Sequence, residues 1–566
     1  MKSKIDSTWG LEQIYPNIKD VYLDLTNIKN LILQLEQKVE ESIEEHQIPD
    51  LIKEYEKLLE KIRKAQSYIT CILSIDSLNQ EAQKIKGILY EINSSIHYLT
   101  IKLEEIIAKY NPSIEEYRFF ILKCKENYEH RMTKEEEILY SKLSITSNSE
   151  WKSLYNELIS NLKVEFEGNK ISISELRKNY NSSNRNIREK TYETEIELFK
   201  EYEYIFSRIL NSVKWDSIIV SQKRKFKSVL EQSLFHNQID KEILDIVLSV
   251  AFENLSIVRR YFYKKAQLLD LEKLEWYDLS APTEDHEKVE FDFDKAKEFI
   301  LGNFAEFSQD MYNMALNAFE KNWIDYKPRI GKVSGGFCIY IHDKQSRILV
   351  NYDDSVNSLL VLAHELGHAY HNWLMSQNTF LYRSCPLIMA ETASILAETI
   401  TRNNTLKIFP NLKKQILDSY LHTISVVVVD ILSRFLFEDK LINIRKERIL
   451  TSQEICNLML DSQQEIYLDS LNSFHPYMWI TKPHYYSSNY YNYPYLLGLL
   501  IGLAIYNLYT IGQISNNQYV EILKNSGKGK PEEVLKSVGL DIRDSSFWQE
   551  SFKQIEQIIV EFEKIE

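Results

Sequence analysis

With 566 residues, 44% of them apolar, the chain can bury a substantial core and is longer than one compact unit needs. Its net charge of −14 argues against a general nucleic-acid or anionic-membrane surface, because its short basic runs, such as Lys223, Arg224 and Lys225, sit among acidic neighbours and read as solvated helix faces. Five scattered cysteines (Cys71, Cys124, Cys338, Cys385 and Cys456) have no paired spacing, so they point to neither a disulfide framework nor a thiolate zinc site and suit a reducing compartment.

Met1 to Gly10 carries Lys2, Lys4 and Asp6 and no apolar core, so it does not read as a secretory signal and a cytoplasmic location is expected. From Leu23 to Tyr110 long amphipathic stretches predict helical hairpins, broken at Gln47, Ile48 and Pro49 and ended by Asn111 and Pro112. Helical periodicity then resumes. The run VEFEGNKISIS, with Gly168 and Asn169 between two alternating segments, predicts a β-hairpin inside this helical chain. A division near Ser183 to Asn186 separates an N-terminal helical lobe, 1–185, from a catalytic domain, 186–566. In a chain poor in glycine, Gly331, Gly335 and Gly336 mark a change of structure, and FCIYI, a turn around His342 to Ser346, and RILVNY predict a second hairpin.

Asp353, Asp354 and Ser355 then supply helix-start signals, and Leu359, Leu362, Ala363, Leu366, Tyr370 and Trp373 recur at helical spacing as the packing face. On the other face His364 and His368 lie four residues and about 6 Å apart along the axis, a spacing that lets two imidazoles converge on one zinc ion. Glu365, rotated by about 100°, can reach a water on that metal without being a ligand. This H-E-x-x-H pattern, HELGH, points to metal-assisted peptide hydrolysis. No acid follows until Glu391, inside the apolar stretch LIMAETASILAETI. A carboxylate buried there is costly unless a cation or a hydrogen-bond network compensates it, and zinc would compensate Glu391 as the third ligand. Glu398, two turns on, reads as the acceptor that orients a ligand imidazole, and Ser394 reads equally as a packing residue or a polar partner. His371 shares the histidine face but lies about 10 Å from His364, too far to share its ion.

Near the C-terminal end, WITKPHYYSSNYYNYPYLLG gathers Trp479, His484 and tyrosines 485, 486, 490, 491, 493 and 495. Some of these rings must form an aromatic plug and others can line a site. The following run, Tyr495 to Tyr506, is too short to span a membrane and predicts a buried core helix.

At these residues the chain resembles oligoendopeptidase F, within the wider thimet oligopeptidase group of metallopeptidases. HELGHAYH, the downstream AETAS, the W-x-x-x-P-H-Y-Y segment with YYNYPY, and the opening WGLEQIYP all carry the likeness. The resemblance implies a mainly α, two-lobed helical shell around a deep channel, with a small β-sheet beside the zinc helix. It also implies one zinc per chain and endopeptidase action on short peptides. His484 and Tyr493 are the implied donors to the peptide and developing oxyanion, with Tyr486, Tyr490 and Tyr491 contacting substrate.

The expected mechanism has zinc lower the pKa of its water while Glu365 takes the proton, with the RILVNY strand offering a free edge to an extended peptide. A zinc metallocarboxypeptidase on a related helical shell is the nearest alternative, and a non-catalytic peptide-binding protein a more distant one. The latter has no need of Glu365.

Overall fold

The computed structural model describes residues 7–283 and 291–565; the Lys2, Lys4 and Asp6 part of the amino-terminal reading lies outside them. As expected, the fold is mainly α, with 74% of residues helical and 4% in strands. The chain divides into two compact units: Met1–His130, Lys288–Ile408 and Leu508–Leu540 form the first, and Arg131–Glu287, Phe409–Asn507 and Asp541–Glu566 the second. The expected division at 185/186 falls inside the second unit. Packing there explains why: the Tyr155 ring stacks on Tyr486 at 3.8 Å and its hydroxyl donates to the Ile480 carbonyl at 2.9 Å, so the segment before residue 185 is built into the same core as the segments after it.

In the first unit, the helices Ile18–Glu40, Ile48–Ile75 and Gln80–Tyr110 pack on one another. Each turns an apolar stripe inward, such as Val21, Leu25, Ile28, Ile32 and Leu35, at the three- and four-residue spacing of one helix face. Pro49 sits in the first turn of the second helix, where its missing N–H costs nothing. Asn111, at φ 47°, closes the third. Trp9, Ile14 and Tyr15 of the WGLEQIYP segment join this core.

The second expected hairpin is present as β4 (Phe337–Tyr340) and β5 (Ser346–Leu349), once β3 (Ile324–Asp325) is counted before it; β1 (Lys163–Phe166) and β2 (Asn169–Ser172) form the first hairpin, in the second unit. Its turn is Glu167 and Gly168, at φ 51° and 76°, one residue earlier than expected, because Asn169 pairs with Phe166. In the three-stranded sheet the order is β3-β5-β4. The RILVNY strand is therefore central and has no free edge: β3 pairs with it in parallel and β4 antiparallel. The edge strands are β3 and β4.

The second unit is built on the helices Arg185–Lys223, Lys241–Leu268, Ile431–Glu447, Ser452–Tyr467 and Ser545–Glu563. Among the described residues, two helical stretches are long and apolar enough to cross a membrane, Tyr493–Thr510 and Pro410–Glu447, with 83% and 61% of their most apolar windows buried. The first is the expected core helix. The second, not singled out in the sequence, carries the buried Glu438, which pairs with Lys214 at 2.6 Å.

Lys214 and Glu438 are 1% and 2% exposed and face each other in the core, and the Ser488 carbonyl and Asn489 Oδ1 also accept from Lys214. Removing one partner strands a buried charge. Lys214→Met is expected to cost roughly 3–5 kcal/mol, read as a lower urea midpoint, and Lys214→Met combined with Glu438→Leu to recover most of it. Equal midpoints for the wild type and Lys214→Met would refute the pairing.

Candidate metal centre

Ser355 caps the helix Val356–Met375, its hydroxyl accepting from the Ser358 N–H, so the expected start signal operates. Leu359, Leu362, Ala363, Leu366 and Tyr370 are buried on the packing face, as expected, with Trp373 half-buried. His364 and His368 face the next segment, their rings 4.9 Å apart.

Glu391 is not within a continuous helix. It occupies the turn between the helices Leu387–Ala390 and Thr392–Ile408, where its carbonyl accepts the Ile395 N–H at 2.9 Å. From that turn its Oε2 lies 3.3 Å from His364 Nε2 and 3.4 Å from His368 Nε2. The three donor atoms lie within 4.8 Å of one another. Ser394 donates to Glu391 Oε2 at 2.8 Å, so of its two readings the polar one holds. Glu398 does what its position predicts, accepting from His364 Nδ1 at 3.0 Å and leaving Nε2 to face the cluster.

This arrangement depends on a residue the sequence reading passes over. A Cβ on Gly367 would meet the Ala393 carbonyl oxygen and Ser394 Cα at 2.6 Å each. Glycine in the HELGH motif thus lets the two helices touch backbone to backbone, which brings Glu391 within reach. Gly336, at the start of β4, is similar: a Cβ there would sit 3.1 Å from Glu365 Oε1.

The electrostatics follow from burial and charge. For Glu391, burial opposes ionisation, but the two histidines and Ser394 outweigh it and hold the carboxyl down to about 2. For His364, burial is outweighed by Glu391 and Glu398, which raise it to about 10; this is the same ion pair seen from its other side. His368 is pushed down to about 4, chiefly by burial. Glu365 is pushed up to about 7 by burial, against the pull of His364 and with help from Glu391. Its Oε2 is buried with no protein partner. Two imidazole nitrogens, one carboxylate oxygen and an adjacent unpartnered carboxylate fit a zinc site of the open kind.

The cluster opens on a cavity of about 370 Å³ also lined by Phe337, Cys338, Met375 and Cys385, which sequence spacing does not connect to the site. His371 lines it too but donates or accepts at Ser526 Oγ, 2.7 Å away, and is no part of the ligand cluster.

The His484 segment belongs to the second unit. His484 is half-buried and stacks on Tyr491 at 4.3 Å, with its pKa lowered by burial and by Arg434 and Lys482. Tyr491 is half-buried, and its hydroxyl lies 2.9 Å from that of Tyr495. The other named tyrosines are buried. Tyr486 stacks on Tyr155, Tyr490 donates to Asp439 at 2.8 Å, and the Tyr493 hydroxyl oxygen accepts from Asn237 at 3.2 Å and Ser233 at 3.4 Å. The plug reading thus describes Tyr485 and Tyr486, whose hydroxyls have no partner.

Comparison with known proteins identifies the family. The model of peptidase family M3 matches residues 180–554, and that of oligopeptidase F matches residues 97–163. An oligoendopeptidase F homolog of Lactococcus lactis subsp. lactis (strain IL1403) is 24% identical over 595 residues, covering 99% of this chain and 97% of the relative. A solved structure of a Chlamydophila abortus protein superposes with TM-score 0.84 at 23% identity, covering 99% of both chains. Oligoendopeptidase-F from Enterococcus faecium gives TM-score 0.68 at 18% identity, covering 97% of both.

Two substitutions test the centre. Gly367→Ala forces the helices apart and is expected to weaken zinc affinity roughly tenfold or more while costing about 1–3 kcal/mol of stability. Glu398→Ala is expected to weaken zinc affinity roughly 10–100-fold. Competition against a chromophoric chelator measures both, and affinity unchanged in either variant contradicts the role given to that residue.

Proposed function

The chain belongs to peptidase family M3 and is a metalloendopeptidase; on that premise we propose that it hydrolyses internal bonds of short peptides, with one zinc held by His364, His368 and Glu391 and the proton moved by Glu365. The observation that carries this reading is the convergence of three donor atoms within 4.8 Å beside a buried carboxylate that has no other partner. A cytoplasmic location belongs to the same proposal.

Zinc bound there supplies a Lewis acid that makes water a nucleophile near neutral pH and polarises a carbonyl. Glu365 accepts the proton of the attacking water and returns it to the amine of the departing peptide. Burial suits it to both tasks, since a carboxyl pushed up to about 7 holds and releases a proton near neutrality. Glu398 and Ser394 keep His364 and Glu391 aimed, so neither ligand has to reorganise.

The substrate is held in extended form along β4, an edge strand whose first residues, Phe337 and Cys338, line the same cavity as Glu365. A side chain at 336 would crowd Glu365, so glycine keeps the carboxylate free to turn between water and amine. His484, half-buried, is the proposed donor to the peptide, with Tyr491 contacting the peptide from its stack on His484. Tyr486, Tyr490 and Tyr493, whose rings are buried, act by holding this segment in shape.

Quenched oligopeptides incubated with the purified chain should be cut internally, cease to be cut on chelation, and be cut again when zinc is restored. Glu365→Gln is expected to keep zinc and lose turnover by roughly 10²–10⁴-fold, whereas His368→Ala loses zinc and turnover together. A fully active Glu365→Gln protein removes the proposed base.

A further inference from the structure

The second unit contains a cavity of about 160 Å³ that the chemistry above leaves unused. Its lining combines three cations, Arg177, Arg434 and Lys482, with the apolar and aromatic walls of Trp276, Leu279 and Tyr467. Arg177 pairs with the fully buried Glu195, which also accepts from Tyr180 at 2.5 Å. Arg434 pairs with Asp430, yet its Nε is buried with no partner. Lys482 is half-buried and, among the described residues, its ammonium has neither a hydrogen bond nor an ion pair. Each arginine of the lining thus has a carboxylate partner, Arg177 in Glu195 behind the wall and Arg434 in Asp430, whereas Lys482 has none, and His422, also in the lining, is kept neutral by burial and by Lys265.

An ammonium withdrawn from water without a counter-charge is costly, and burial together with Arg434 already weakens its hold on its proton. An anion entering the cavity removes that cost. The volume is below the roughly 300–1,000 Å³ of sites that enclose a whole small molecule, so there is room for one anionic group of a larger ligand. A single net charge matches a carboxylate better than a phosphate dianion. A π-helical turn, Val426–Asp430, shapes the wall that carries Asp430, an interruption common at functional sites. Lys482 also stands two residues before His484, and its charge reaches that ring.

We propose that this cavity binds a carboxylate of the peptide, either its C-terminal group or an acidic side chain, on Lys482, Arg434 and Arg177. The peptidase reading supplies only the identity of the ligand.

The test is calorimetric binding to the full, zinc-loaded chain carrying Glu365→Gln, so that peptide is not consumed. The probes are one short capped peptide as the free acid, the same peptide as the C-terminal amide, the amide with an internal glutamate, and inorganic phosphate. The expected result is about tenfold tighter binding of a carboxylate-bearing peptide than of the neutral amide, a step worth about 1.4 kcal/mol. Which of the two acidic peptides gains identifies the source. Lys482→Met should abolish the advantage and Lys482→Arg should retain it. Equal affinity for acid and amide, an advantage that survives Lys482→Met, or phosphate binding tighter than every peptide would each overturn the proposal. Absence of hydrolysis by the chain with Glu365 intact would instead sink the peptidase reading, leaving the Lys482-dependent preference to be scored from binding alone.

Discussion

The candidate metal centre rests on one close approach. Where Gly367 lies against Ala393 and Ser394, two helices meet with no side chain between them, and the turn just before the second helix delivers Glu391 to a pair of imidazoles one helical turn apart. Any Cβ at 367 would have to displace backbone, which no rotamer change can absorb. The same contact places Ser394 against the Glu391 carboxylate and Glu398 against His364, so ligand and supporting residues are fixed by a single packing event.

That packing also sets the surroundings of Glu365. It shares a helix with the two candidate ligand histidines, but burial and the glycine opposite it at 336 determine that its carboxyl is both hard to ionise and uncrowded. An acid on a solvated face would have the ordinary pKa and a water shell to exchange. Here the cavity beside it is walled on one side by Phe337, Cys338, Met375 and Cys385 and on the other by His364, His368, His371, Asn372 and Glu391.

The second unit uses buried charge differently. Lys214 with Glu438 is a closed pair whose charges cancel inside the core, and Asp278 ties down both Arg188, at 2.8 Å, and Arg185, at 3.1 Å. Lys482 has no such closure. The contrast within one unit separates charge that holds the fold from charge left available to a ligand.

Helix periodicity, the capping serine at 355 and the four-residue spacing of His364 and His368 are local, and the sequence by itself determined them, together with Glu391 as the first acid in an apolar stretch. The first hairpin was legible for the same reason, though its turn moved by one residue when Asn169 took a place in the ladder. What only the tertiary structure decided is everything that depends on a partner distant in the chain. The short strand Ile324–Asp325 took one side of Ser346–Leu349 and so made it the central strand. The stacking of Tyr155 on Tyr486 joined segments that a division at residue 185 would separate. The polar role of Ser394, the cysteines at the cavity and the burial of Tyr486, Tyr490 and Tyr493 likewise follow from packing. Sequence spacing reports which residues can share a face; it does not report which neighbour that face will meet.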